Sequence, residues 1–154
     1  MASLSEAVLV SASLAETWET YFNRTRWRSW VDGFDSVVSS EGYPEPAGTL
    51  RWRSVPAGRG EVTERVVAHE PRRLHRVEFS DPYSEGELEM EFRIEGNEGG
   101  QGAVATRVTQ TLDYRLRRSG PFAALTDLLF VRSQMRRSMQ RSLGRFKHEV
   151  EEDL

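Results

Sequence analysis

Glu85-Gly86-Glu87-Leu88-Glu89-Met90-Glu91-Phe92-Arg93-Ile94 decides the fold class of this chain. Leu88, Met90, Phe92 and Ile94 fall on one side of an extended backbone, and Glu87, Glu89, Glu91 and Arg93 on the other. A period of two, with one apolar and one charged face, marks a strand of an antiparallel sheet that buries a single side. Ala103 to Arg117 repeats the pattern: Val104, Thr106, Val108, Gln110, Leu112, Tyr114 and Leu116 share one face, and the odd positions are mostly polar. Working back toward the N-terminus, Phe34–Ser40, Leu50–Val55, Glu61–His69 and Leu74–Ser80 read as strands. They are separated by the turn-rich run Glu41 to Gly48, by Pro56 to Gly60, and by Pro71-Arg72-Arg73. Glu6 to Ser11 adds a short first strand, making about seven.

Helices flank this sheet. Ser13 with Glu16 three residues later forms a capping box, and Leu14, Trp18, Tyr21 and Phe22 follow at amphipathic spacing. A second short helix spans Arg24 to Trp30, with Trp27 and Trp30 on one face, and Asp32-Gly33 ends it. After Ser119-Gly120-Pro121 the longest helix runs from Phe122 to about Glu151. Its apolar stripe is Leu125, Leu128, Met135, Met139, Leu143, Phe146 and Val150. Roughly 30 residues span about 45 Å, enough to cover the apolar face of a long sheet. The expected architecture is α+β: a curved antiparallel sheet wrapped around one long C-terminal helix, in a single domain over residues 1–154. A curved sheet does not close tightly on one helix along its whole length, so the arrangement favours an apolar cavity.

Composition narrows the function. The chain has 154 residues and a net charge of −3, no Cys and three His, at 69, 75 and 148. Disulfides, thiolate chemistry and cysteine metal sites are excluded, three His argue against a histidine-rich metal site, and no metal or other cofactor is expected. There is no phosphate-cradling glycine loop, no G-x-S-x-G, no H-E-x-x-H and no dinucleotide fingerprint. No apolar run is long enough to span a bilayer, and the first residues lack the basic start of a secretory signal, so a cytoplasmic location is expected. Twenty of the 21 basic residues are Arg, the usage of a GC-rich genome. From Tyr114 to Lys147, nine cations face the single anion Asp127, so that stretch carries +8 and the rest of the chain −11. Such a segment serves a polyanion, or it is a solvated helix face that pairs with Glu85, Glu87, Glu89 and Glu91. Without a nucleic-acid module or interleaved aromatics, no nucleic-acid partner is expected.

Several segments carry a family resemblance. Ser11 to Trp18 (SASLAETW), Trp27 to Val31 (WRSWV), Gly60 to Val67 (GEVTERVV), Glu70 to Leu74 (EPRRL) and Thr106 to Thr111 (TRVTQT) resemble the polyketide cyclase/dehydrase branch of the START-like, or Bet v 1-like (SRPBCC), superfamily. The resemblance extends over about residues 5–150 and implies a helix-grip fold. It also implies binding of a hydrophobic small molecule, lipid- or polyketide-like, between sheet and long helix. Some members cyclise or dehydrate polyketides without a cofactor. The shared patches are structural, so the chemistry has to be argued from the interior residues.

Arg132 interrupts the apolar stripe of the long helix, with Arg136 beside it. Three roles are open to Arg132: holding a ligand acid bidentately, pairing with Glu64 or Glu78, or packing its stem with the head in water. Gln110, where the related pattern often has an aromatic residue, puts an amide on the apolar face. It binds a ligand group or pairs with a neighbour or a water. Tyr114 offers a phenol on that face or packs in the core. His75, in register with Val77 and Phe79, is a candidate general base if it points inward, and Glu64, between Val62 and Val66, a candidate buried acid. Trp18, Trp52, Phe79, Met90, Phe92, Leu128 and Met135 are the expected walls of a cavity, or core. Leu128-Leu129-Phe130-Val131 is apolar around more than one face of the helix, so either this half is buried on both sides or part of it is a partner surface, for which a homodimer is the expectation. Three readings follow: a binding protein for a hydrophobic, optionally anionic, molecule; a cofactor-free cyclase, aromatase or dehydratase; or an interaction protein that uses the basic helix face.

Overall fold

A computed structural model describes residues 2–55, 60–95, 104–117 and 123–152, with side chains in the last segment from Leu129 onward. Its elements are β1 (Ala2–Val10), α1 (Leu14–Phe22), a 3-10 turn (Arg24–Arg26), α2 (Trp27–Trp30), β2 (Phe34–Glu41), β3 (Thr49–Ser54), β4 (Glu61–Glu70), β5 (Leu74–Ser80), β6 (Ser84–Glu95), β7 (Ala105–Leu116) and α3 (Ala123–Glu152). The seven strands form one antiparallel sheet in the order β1-β7-β6-β5-β4-β3-β2. Every connection except β1 to β2 joins neighbours, and that exception carries α1 and α2. The architecture is the α+β helix grip expected from the sequence.

Ser13 caps α1 by accepting the Glu16 N–H at 3.1 Å, and Thr17 Oγ1 donates back to the Ser13 carbonyl at 2.7 Å. Trp18 and Tyr21 go into the core from the buried face of α1, while Trp27 and Trp30 do so from α2. Gly33, at φ +76°, makes the tight entry into β2. Met139, Leu143, Phe146 and Val150 of α3 are buried, as their spacing required. Phe146 is 0 % exposed and meets the rings of Tyr21 and Trp30. Among the described residues, no helix is long and apolar enough to cross a membrane.

Three expectations change. β1 begins at Ala2, not Glu6: Ser3 and Ser5 point outward while Leu4 is buried opposite Leu112. Small outward serines hide the alternation. Ile94 keeps the inner-face register but is 58 % exposed, because β5 stops opposite Glu91 and leaves β6 beyond it flanked by β7 alone. The glutamates of β6 do not neutralise α3. They project from the outer face, where Glu85 meets Arg115 and Arg117, and Glu89 meets Arg76 at 2.6 Å. The α3 cations lie on the inner side and find other anions: Arg136 pairs with Glu6 at 2.7 Å, Arg141 and Arg145 with Asp32, and Lys147 with Glu151.

Asp32 is the main polar tie between the α2–β2 turn and α3. Its carboxylate accepts from Ser138 and Arg141, and its N–H donates to Ser142 Oγ at 2.8 Å. The Arg141 hydrogen bonds hold the Asp32 carboxyl below the usual range, with Ser138 acting in the same direction.

Candidate functional site

Strand register lays the inner face out in transverse rows. One row runs Glu6 (β1), Gln110 (β7), Met90 (β6), His75 (β5) and His69 (β4); the next but one runs Ala2, Tyr114, Gly86, Phe79, Glu64 and Leu50. All the sequence-nominated polar groups of the sheet therefore occupy two rows. Gln110 and Tyr114 lie about 13 Å apart along β7, given the rise of a strand, with Leu112 between them.

The ends of these rows differ in how their polar atoms are satisfied. Beneath α1, His75 is 2 % exposed, which resolves its direction as inward. Its Nε2 lies 3.3 Å from Tyr43 Oη, and its Nδ1 lies 3.0 Å from His69 Nδ1. Burial pushes the His75 pKa down to about 3, with the neighbouring His69 acting in the same direction, so the imidazole is neutral near pH 7. Both nitrogens meet protein groups, so His75 has none left to act directly as a base on a ligand. Trp18, Phe22, Tyr21 and Phe92 pack around this cluster ring to ring, which places Trp18 and Phe92 in the aromatic core.

Toward α3 the accounting stays open. Tyr114 is 1 % exposed, yet among the described residues its hydroxyl has no hydrogen-bond partner, and neither does the buried Gln110 Oε1. The Trp30 indole N–H is in the same condition beneath Phe146. Gly86, opposite Tyr114, brings no side chain to this row. A Cβ there would lie 1.9 Å from the Asp113 carbonyl oxygen, so the two strands approach as only glycine permits. Glu6 reaches from β1 to accept from Arg136 at 2.7 Å and from Gln140 at 3.4 Å. Arg136 is therefore already paired with the protein. Arg132, one turn earlier on α3, is half-buried and has no hydrogen bond or ion pair among the described residues. Glu78 is on the outer face beside Arg65, so it is not the partner of Arg132.

The Glu64 carboxylate points inward from β4 and accepts the Trp52 indole N–H at 2.8 Å. Its charge reaches Tyr43 and Tyr21, whose phenols are raised well above their ordinary pKa, chiefly by burial. Phe79 and Met90 line the middle of the face, and Met135 packs from α3. Leu128 lies outside the described side chains. Leu129 and Phe130 are 69 % and 63 % exposed, so the apolar run does reach a second face of the helix.

Sequence reading missed Glu6, Tyr43 and the inward turn of His69. Glu6 shares the parity of Leu4 and Val8, which would have placed it inside had the strand been started early enough. Tyr43 sits between Gly42 and Pro44 in a turn-rich run, where no periodicity signals burial. A register irregularity between Val66 and Ala68 inserts one extra residue into β4, turning His69 onto the face of Glu64 and Val66.

Among known proteins, the profile of the family described as "Polyketide cyclase / dehydrase and lipid transport" matches residues 1–151. An aromatase/cyclase from a Streptomyces species superposes with a TM-score of 0.70 at 17 % identity, covering 97 % of this chain and 93 % of its own. A protein from Thermus thermophilus gives 0.66 at 19 % identity, with 97 % of each chain covered. Norcoclaurine synthase from Thalictrum flavum, solved with dopamine and hydroxybenzaldehyde, gives 0.65 at 13 % identity over 98 % of this chain and 87 % of its own. These likenesses establish a shared fold. No curated protein matches.

Proposed function

The chain belongs to the polyketide cyclase/dehydrase and lipid transport family, and from that premise we propose that it binds a hydrophobic small molecule bearing polar or acidic groups between the inner sheet face and α3. Residues 1–154 act as one domain in this reading. The observation that carries it is the pair of buried, unpartnered atoms on β7, Tyr114 Oη and Gln110 Oε1. Leaving such an atom unsatisfied costs about 1–3 kcal/mol, and a ligand hydroxyl or amide offsets that cost. Arg132 supplies the cation for an acidic group, Tyr114 and Gln110 address polar groups further along, and Trp52, Phe79 and Met135 provide apolar contact. The association of relatives with aromatic ligands, in the Thalictrum synthase, and with cyclisation, in the Streptomyces protein, agrees with this chemistry.

A second reading, a cofactor-free cyclase or dehydratase, is favoured by one feature: the Glu64 carboxylate and the Tyr43 phenol inside the same fold. The basic-face reading is weakened because Arg136, Arg141, Arg145 and Lys147 already have protein anions.

Native mass spectrometry of the purified protein, followed by denaturing extraction, tests the binding reading. A stoichiometric apolar or amphipathic compound, lost in Arg132→Leu and Tyr114→Phe while both variants stay folded, is the expected result. Equal retention by both variants removes Arg132 and Tyr114 from the site. A protein that arrives empty and then fails to take up aromatic or fatty carboxylic acids overturns the binding reading.

A further inference from the structure

Tyr43, His75 and His69 form a continuous hydrogen-bonded chain that ligand binding does not require. His69 and His75 flank the Pro71-Arg72-Arg73 turn and face each other directly across β4 and β5. Tyr43 closes the chain from the β2–β3 connection, 3.3 Å from His75 Nε2. Ring contacts hold the geometry: Trp18 on His69 at 5.3 Å, Phe22 on His69 at 5.2 Å and Phe22 on His75 at 4.8 Å.

Neutral imidazole has one N–H and one bare nitrogen, so this chain has two complete proton arrangements. In the first, Tyr43 Oη–H donates to His75 Nε2, His75 Nδ1–H donates to His69 Nδ1, and the His69 proton sits on Nε2. In the second, His69 Nδ1–H donates to His75 Nδ1 and His75 Nε2–H donates to Tyr43 Oη, freeing the phenolic proton to point elsewhere. Both require neutral rings. Burial lowers His75 and His69 alike, the nearby Glu45 opposing it at His69. On the Tyr43 side, Glu64 and Tyr21 add to burial in keeping the phenol protonated, and Arg24 opposes them.

We infer that Tyr43, His75 and His69 are a proton relay between solvent at the partly exposed His69 and the interior beside Glu64. In one passage the Tyr43 proton moves to His75 Nε2, the His75 Nδ1 proton moves to His69 Nδ1, and the His69 Nε2 proton leaves to water. Tyr43 Oη takes its replacement from a weakly acidic O–H or C–H of an interior molecule, which keeps the bonding electron pair and the negative charge. All three side chains end neutral, and one proton has crossed from that molecule to water. His75 thus contributes to proton transfer without touching the molecule that loses the proton.

Nuclear magnetic resonance on the ligand-free protein tests the relay, so an empty interior in the binding experiment leaves it standing. The nitrogen shifts should show one proton, and only one, in the contact between the two Nδ1 atoms. Two bare Nδ1 atoms facing each other, both rings protonated at Nε2, overturn the relay on the wild-type protein alone. His69→Phe keeps the ring contacts and is expected to slow exchange of the Tyr43 hydroxyl with water at least tenfold. Backbone amide protection in β4 and β5 should stay unchanged. Unaltered hydroxyl exchange in that folded variant overturns the relay. If His69→Phe does not fold, His69→Gln serves for the same measurement.

Discussion

Two regions of the same interior treat polar atoms in opposite ways. Beneath α1 and α2, every ring nitrogen of His75 has a partner, the Trp27 indole donates to the Tyr21 carbonyl at 2.6 Å, and aromatic rings fill the space between, with the Trp30 indole N–H at the border with α3 as the exception. On β7 a phenol and an amide oxygen are buried without partners, and the half-buried Arg132 of α3 has no ion pair among the described residues. Buried polar groups in folded proteins nearly always find partners, and His75 and Trp27 in the first region follow that rule. The second is where the interior is left incomplete for something else to finish. The division runs along the sheet, with β5 and β4 on the satisfied side and β7 on the open one.

The contrast is breakable at several points. The largest effect belongs to the packed side: Phe146→Ala should cost about 3–5 kcal/mol, because the ring is fully buried against Tyr21 and Trp30. Denaturant unfolding measures it, and a loss under 1 kcal/mol would mean the core there is loosely filled. Next comes pH. The folded-state pKa of His75 is depressed from 6.5 to about 3, so the unfolded chain binds the extra proton in between. Stability is fully present above about pH 6.5 and falls as pH drops from there toward 3, with a slope approaching about 1.4 kcal/mol per pH unit for this one proton. His75→Phe should flatten most of that slope, and an unchanged urea midpoint profile from pH 7 to 4 in the wild-type protein would contradict the burial of His75.

Smaller effects separate clamp from site. Asp32→Ala removes the acceptor for Ser138, Arg141 and Arg145 and should cost about 1–2 kcal/mol, less than the sum of its bonds because the arginines are half-exposed. Thermal unfolding without change in ligand retention is the expected signature. The finest comparison is one chemical change made twice. Tyr43→Phe strands the His75 nitrogen and should lose about 1 kcal/mol, whereas Tyr114→Phe deletes an unpartnered hydroxyl and should be neutral or stabilising by up to about 1 kcal/mol. Equal destabilisation by both would erase the distinction between the two regions.

The sheet was legible because alternation survives in β6 and β7, where Leu88, Met90, Phe92, Val108 and Leu112 keep strict parity. The long helix was legible from Met139, Leu143, Phe146 and Val150. The candidate site was half legible. Arg132 and Gln110 announce themselves by breaking an apolar pattern, but whether such a residue has a partner depends on what faces it from another element. Glu6 takes Arg136 and leaves Arg132, a choice made by contacts between residues 130 positions apart. His69 was hidden by the irregularity in β4, since one inserted residue reverses inside and outside for everything beyond it.

The tie between Asp32 and α3 also sets the mechanics of the long helix. Ser138, Arg141, Ser142 and Arg145 anchor its second half to the α2–β2 turn, and among the described residues the last polar attachment toward the N-terminus is Arg136 on Glu6. The helix is thus a cantilever. From Arg136 to Leu129 the arm measures about 10 Å at 1.5 Å per residue, so a tilt of about 5° about that anchorage carries Leu129 about 1 Å. Arg132 rides on that arm, short of its tip. The lie of Arg132 over the sheet therefore depends on an aspartate remote from the unpartnered atoms, and on the glutamate–arginine pin at the base of the arm.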